Sequence, residues 1–237
     1  MMNRKTILAG WCVLALSAVL SAGAQEDFFA AIRSNNVTKL RALLDRNPFI
    51  SFSTDKDGAT PLAAALSSPG DTLDAGRALV ESGADLNGIS RGVAPMHMAV
   101  MKGDLRWVQM LLEAGAEINV RDSRGRTPLR AAVLAGNNEL GELLVNAGAK
   151  VEAIDAAAMG DMELLRHVLN VHPTAVNERD DMGNTPLHYA VMRGRADAVK
   201  LLLSRAADRK AKNNPGDTPF KLAQKTGRPD IIALLKM

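Results

Sequence analysis

DSRGRTPLRAAVLAGNNELGELLVNAGA, residues 122–149, can be read slot by slot. Asp122 and Gly125 bracket a tight turn, where glycine supplies a positive φ that other residues avoid. Thr127 and Pro128 follow. A threonine hydroxyl caps the N-terminus of a helix and proline is tolerated in its first turn, so the pair starts a helix. Ala131 and Ala132 are small enough for neighbouring helices to approach closely. Gly136 breaks the chain, a second helix carries Leu143 and Leu144 on its apolar face, and Gly148 provides a left-handed stop. The stretch predicts one turn and two short helices, with an apolar face that the two helices cannot bury between themselves.

The same phrase recurs along the chain. It reads TPLA at Thr60, APMH at Ala94, TPLR at Thr127, TPLH at Thr185 and TPFK at Thr218, with offsets of 34, 33, 58 and 33 residues. A period near 33 describes a stack of similar small units rather than one globular core, with stability drawn from the interfaces between neighbours. The offset of 58 conceals one more unit. Ala157, Ala158, Met159 and Gly160 fill its small-residue and glycine slots, which places Val151 where threonine would stand. That alignment leaves the connecting turn about nine residues short of the usual period. A smaller irregularity, SSPGDT at Ser67 to Thr72, lengthens the connection between the helices of another unit.

Residues 122–149 and GNTPLHYAVMRGRADAVKLLLSRAAD, residues 183–208, resemble the ankyrin repeat, and the resemblance runs from Glu26 to Met237. It implies an all-α repeat solenoid of helix-turn-helix units joined by β-hairpin turns, seven units including caps. The expected layout of residues 25–237 is one ankyrin-repeat domain: an N-terminal cap over 26–54, full repeats over 55–88, 89–121 and 122–150, a degenerate repeat over 151–179, a repeat over 180–212 and a C-terminal cap over 213–237.

Residues 1–24 read as a secretory leader. Arg4 and Lys5 are followed by an apolar run from Ile7 to Leu20, and Ala22-Gly23-Ala24 fits a small-x-small cleavage site. Such a leader predicts export, to the periplasm in a bacterial host. Cleavage would remove Cys12, the sole cysteine, and with it any disulfide, thiol nucleophile or thiolate metal site. It would also leave 27 basic against 26 acidic side chains, a net charge of +1. A nearly neutral protein lacks the concentrated positive charge that nucleic-acid binding needs.

Motifs that spell chemistry fall in structural slots. Gly88-Ile89-Ser90-Arg91-Gly92 matches the nucleophile-elbow pattern, but it occupies a repeat turn rather than a strand-to-helix junction. His97 and His188 take the last slot of TPLH, where the resemblance implies hydrogen bonds to neighbouring turns. His167 and His172 are five apart, a poor spacing for two ligands on one helix. Met96, His97, Met98 and Met101 combine thioether and imidazole groups suited to copper(I), yet methionine is an ordinary core filler and Met96 sits in the leucine slot. Ser53, Asp55, Asp57 and Gly58 resemble the start of a calcium loop whose closing glutamate is replaced by Ala64. There is no phosphate loop, dinucleotide fingerprint or HExxH. The reading assigns no catalytic residue, metal or cofactor.

In ankyrin stacks the hairpin tips and the outward side of the first helix in each unit line a concave groove. Carried over slot by slot, the resemblance implies a partner surface of Arg91, Met98, Met101, Lys102, Arg124, Arg126, Arg130, Met182, Tyr189, Met192 and Arg193. Arginine favours bidentate carboxylate contacts, and methionine makes adaptable apolar surfaces. The expected partner is therefore a protein with an acidic and apolar face, bound by a monomer that does not insert stably into membranes. Exported bacterial ankyrin proteins resemble two functional types, accessories to a periplasmic enzyme and antidotes to a delivered toxin; the accessory role is the one expected here.

Overall fold

The computed structural model describes residues 22–236. Fourteen α-helices and no strands occur among them: α1 Ala22–Arg33, α2 Val37–Arg46, α3 Pro61–Ser67, α4 Leu73–Glu81, α5 Pro95–Lys102, α6 Leu105–Glu113, α7 Pro128–Ala135, α8 Asn138–Asn146, α9 Ala153–Met159, α10 Met162–Val171, α11 Pro186–Met192, α12 Ala196–Ser204, α13 Pro219–Lys225 and α14 Pro229–Lys236. Short 3₁₀ turns cover Pro48–Phe52 and Pro173–Asn177. The fold class is the all-α repeat solenoid that the sequence implies. The leader reading at residues 1–21 lies outside the described residues; Ala24, its expected cleavage point, lies in α1.

The chain divides at Pro128/Leu129 into two compact units. In each, helices that open a repeat pack on one another, as do helices that close one. In the first unit α1 packs on α3 and α3 on α5, while α2 packs on α4 and α4 on α6. In the second, α9 packs on α11 and α11 on α13, while α10 packs on α12 and α12 on α14. Alanines at the contacts (Ala63, Ala64, Ala65 and Ala99; Ala156, Ala157 and Ala190) are buried and set the close spacing. Larger side chains, including Leu40, Leu79 and Leu111 in one unit and Leu165, Leu187 and Leu202 in the other, are inaccessible. Each such leucine contributes about 1.5–3 kcal/mol. Gly76 in α4 makes room for Trp107: a Cβ there would stand 2.7 Å from Trp107 Cζ3 and closer still to Cη2.

The connecting turns follow one plan. The carboxylate of Asp55 accepts from the N–H groups of Asp57 and Ala59 at 2.9 and 2.8 Å. Asp122 does so for Arg124 and Arg126, and Asp180 for Met182 and Asn184. Burial opposes the charge at Asp55 and Asp122, but these N–H groups and a nearby arginine outweigh it and hold both carboxyls below the ordinary aspartate value. Turns in neighbouring repeats are tied by Ser123 N–H to Gly92 O, 2.7 Å, and Asn214 N–H to Met182 O, 2.9 Å.

One expected register moves by a residue. The degenerate unit caps α9 with Glu152, not Val151, so the helices that open repeats start at Pro128, Ala153 and Pro186. The reason is Asp155, which fills the histidine slot and accepts from the Glu152 N–H at 3.0 Å, as His188 Nδ1 accepts from the Thr185 N–H at 3.1 Å. The connection between α8 and α9 holds no aspartate-centred turn of the kind at Asp55, Asp122 and Asp180. The degenerate unit also repeats the build of the N-terminal one at an offset of 125 residues: two helices, then Pro48 or Pro173, a 3₁₀ turn, then Asp55 or Asp180 and a Thr-Pro start. Asn35 and Gly160, both at positive φ, match in that alignment.

Candidate functional site

The eleven residues expected to face a partner separate into three groups. Arg91, Met101, Lys102, Arg124, Met182 and Met192 are exposed; Met98, Arg126 and Arg193 are half-buried; Arg130 and Tyr189 are only 5% accessible. The fully available set is therefore smaller than the slot pattern implied.

In the first unit Arg91 stands at a two-residue turn closed by Ser90 N–H to Val93 O and Val93 N–H to Ser90 O, at 2.9 and 3.1 Å. Its φ of 52° and that of 83° at Gly92 are the left-handed pair such a turn requires. Ser90 is buried at the base of this turn, so the motif that spells a nucleophile elbow is a hairpin end. The Arg91 guanidinium lies 3.9 Å from Asp57, with its side chain 72% exposed. Arg124 projects from the next turn. Arg126, by contrast, is tied to Asp122 of its own turn at 2.7–2.8 Å. Lys102 reaches back to the carbonyls of Leu66, Ser68 and Gly70 at 3.3–3.4 Å, over the end of α3 and the SSPGDT insertion. A cation there satisfies carbonyls that a helix C-terminus leaves open.

In the second unit Arg130 and Tyr189 are part of the interior. The Arg130 Nε bonds Asp155 and its Nη2 lies 3.1 Å from Glu152, while its guanidinium stacks 5.9 Å from the Tyr189 ring. Burial opposes the charge, but Asp155 and Glu152 hold the guanidinium above its ordinary pKa. Burial pushes the Asp155 carboxyl up against the pull of Arg130. The Tyr189 hydroxyl donates to Asp180 at 2.6 Å; burial first, then that bond, raises its pKa. Arg193 Nη2 donates to Val133 O and Leu134 O at 2.7 and 2.6 Å, closing the C-terminus of α7. Met182 and Met192 remain 50% and 36% exposed.

Arg130 thus belongs to a series of joints. His97 Nε2 meets Arg126 O at 2.8 Å and His188 Nε2 meets Asp217 O at 3.1 Å, each fastening a helix to the turn of the following repeat. Before the shortened connection the slot holds Arg130, whose longer side chain reaches Glu152 and Asp155 instead. Sequence reasoning placed Arg130 on the surface; the signal that could have moved it inward was the pairing of a basic and an acidic residue in consecutive histidine slots.

Among the described residues no group of three or more His, Cys, Asp or Glu side chains gathers as metal ligands do, and no helix is long and apolar enough to cross a membrane.

A family model described as ankyrin repeats (3 copies) matches residues 87–155 and 153–237. A Caenorhabditis elegans homologue of transient receptor potential cation channel subfamily A member 1 is 44% identical over 82 residues, 34% of this chain and 7% of that protein. Human ankyrin repeat domain-containing protein 13C is 40% identical over 78 residues, 32% of this chain and 14% of that protein. The Arabidopsis thaliana potassium channel AKT1 is 42% identical over 166 residues, 67% of this chain and 19% of its own length. The chain thus spans a small part of each of these relatives. This protein belongs to the ankyrin-repeat family.

Proposed function

We propose that the chain is exported to the periplasm, where it binds another protein through its hairpin tips and the helices that open its repeats, as a non-enzymatic accessory to a periplasmic enzyme. Ankyrin repeats are protein-interaction modules, and membership in that family supports the general reading. The observation that carries the particular one is the division of labour among slots. Side chains that recur from unit to unit, such as His97, His188 and the turn aspartates, are spent on hydrogen bonds within the fold. Arg91, Arg124 and Met182 share one slot and Met101 and Met192 another; other units fill these slots with Asp57 or Pro215 and with Ser67, Leu134 or Lys225, and the five side chains stand exposed. Arginine and methionine together suit a partner with an acidic edge and an apolar centre. Export is supported by Arg4 and Lys5, the apolar run Ile7 to Leu20 and the Ala22-Gly23-Ala24 site.

The test uses residues 25–237 as bait in periplasmic extract of the native host, beside R91A/M101A/R124A, whose three side chains are outward-facing. A partner retained by the native bait and lost by the folded variant is the expected result; equal retention by both places the surface elsewhere. A retained enzyme that stays active on the complex fits an accessory, and one that is blocked fits an antidote instead. Recovery of the protein from the cytoplasm with residues 1–24 still attached would overturn the export reading.

A further inference from the structure

We infer that the second unit holds a binding site for a small oxyanion, a carboxylate or phosphate group, in a pocket walled by Arg193 and Arg195. The pocket, of about 230 Å³, opens between the turns that separate helices in three successive repeats: Gly136 with Asn137 and Asn138, Met159, and the two arginines. Both guanidiniums are held in place before any ligand arrives. Arg193 Nη2 is fixed by Val133 O and Leu134 O, and Arg195 Nε by Ala158 O at 3.2 Å. Gly160 leaves the room this needs, since a Cβ there would stand 2.7 Å from Arg195 Cδ.

Arg228 fills the slot of Arg195 one repeat later. It also reaches back to a carbonyl of the preceding repeat, through Nη2 to Gly194 O at 3.1 Å, and bonds the carboxylate of Asp230 at 3.0–3.2 Å. The equivalent of Asp230 in the earlier repeat is Asp197, and its carboxylate bonds Lys200 at 3.0 Å. Neither Arg193 nor Arg195 forms an ion pair among the described residues, and no acidic side chain lines the pocket. Two half-buried, pre-oriented guanidiniums are thus left without the counter-ion that Arg228 carries, and carboxylate and phosphate oxygens are the groups that guanidinium binds through paired, charge-assisted hydrogen bonds. The site is independent of the protein-binding reading.

Sodium phosphate and sodium acetate are titrated separately into the protein at constant ionic strength, with amide shifts followed by ¹⁵N NMR. Saturable shifts centred on residues 136–141, 158–160 and 193–195 are expected; saturation by phosphate alone assigns a phosphoryl group, and saturation by acetate a carboxylate. Arg195→Gln should weaken binding by at least about tenfold, while Arg209→Gln, at an exposed position outside the pocket, should leave it unchanged. Where Arg195→Gln does not fold, the native titration decides. Shifts that fail to saturate, that spread over other basic surface, or that persist unchanged in folded Arg195→Gln overturn the site.

Discussion

His97 and His188 fill the same slot in two repeats but differ in what their second ring nitrogen meets. His188 Nδ1 lies 2.8 Å from the Thr185 hydroxyl, whereas the corresponding residue in the other repeat is Ala94 and His97 Nδ1 is buried without a partner. Alanine also leaves α5 without a side-chain cap. Both Ala94 and Thr185 are buried at 1% exposure or less, so the slot accommodates threonine. Ala94→Thr should therefore cap α5 and satisfy His97 together, raising stability by about 1 kcal/mol. Urea unfolding measures it, and an unchanged or lowered midpoint would show that the cavity beside His97 does not admit the hydroxyl.

At the scale of elements, most helices and their starts are legible because they rest on a local device: a threonine, asparagine or aspartate cap, a proline in the first turn, a glycine at positive φ. The shortened connection before α9 was legible from spacing. Its register was not, because Glu152 and Asp155 replace threonine and histidine by function rather than by type. The candidate surface was read less well, since slot position says which way a backbone site faces and not where a long side chain ends. Arg130, Arg193 and Lys102 all bend back onto the fold. A counter-intuitive expectation follows for Arg130→His, which brings the chain closer to its sister repeats. A histidine at 130 cannot serve both Glu152 and Asp155, and an unpaired buried carboxylate costs about 3–5 kcal/mol. The double variant R130M/D155L removes the two buried charges, leaves only the partly exposed Glu152, and should lose less than R130H in the same urea assay. If R130H is neutral, the Arg130 pairing contributes nothing to stability.

For the whole molecule the two buried histidines and the turn aspartates act in one direction, while Asp155, pushed up by burial, opposes them. Burial holds the His97 and His188 rings below their ordinary pKa of 6.5, so the unfolded chain takes up protons first as pH falls. Where the unfolded state binds more protons, stability rises with pH; here it should begin to fall as pH drops below about 6.5. Asp55, Asp104 and Asp122 lie below their ordinary 3.8, which places a second loss under about pH 4. Urea midpoints at neutral, mildly acid and strongly acid pH should descend in two steps, and H97Q/H188Q should flatten the first. A midpoint that climbs on mild acidification would contradict the buried, neutral state of both rings.

The joint between Arg130 and Asp155 also bears on how such a chain can change length over generations. Repeats joined through a histidine and a main-chain carbonyl share an interchangeable fastening, so recombination can add or drop one of them and the ends still match. The arginine and aspartate are a private lock and key. A duplication or deletion falling between them separates the two halves, and each is then inherited as a buried charge with no mate. Lineages of this protein should gain and lose repeats on either side of that boundary while the boundary itself passes down intact.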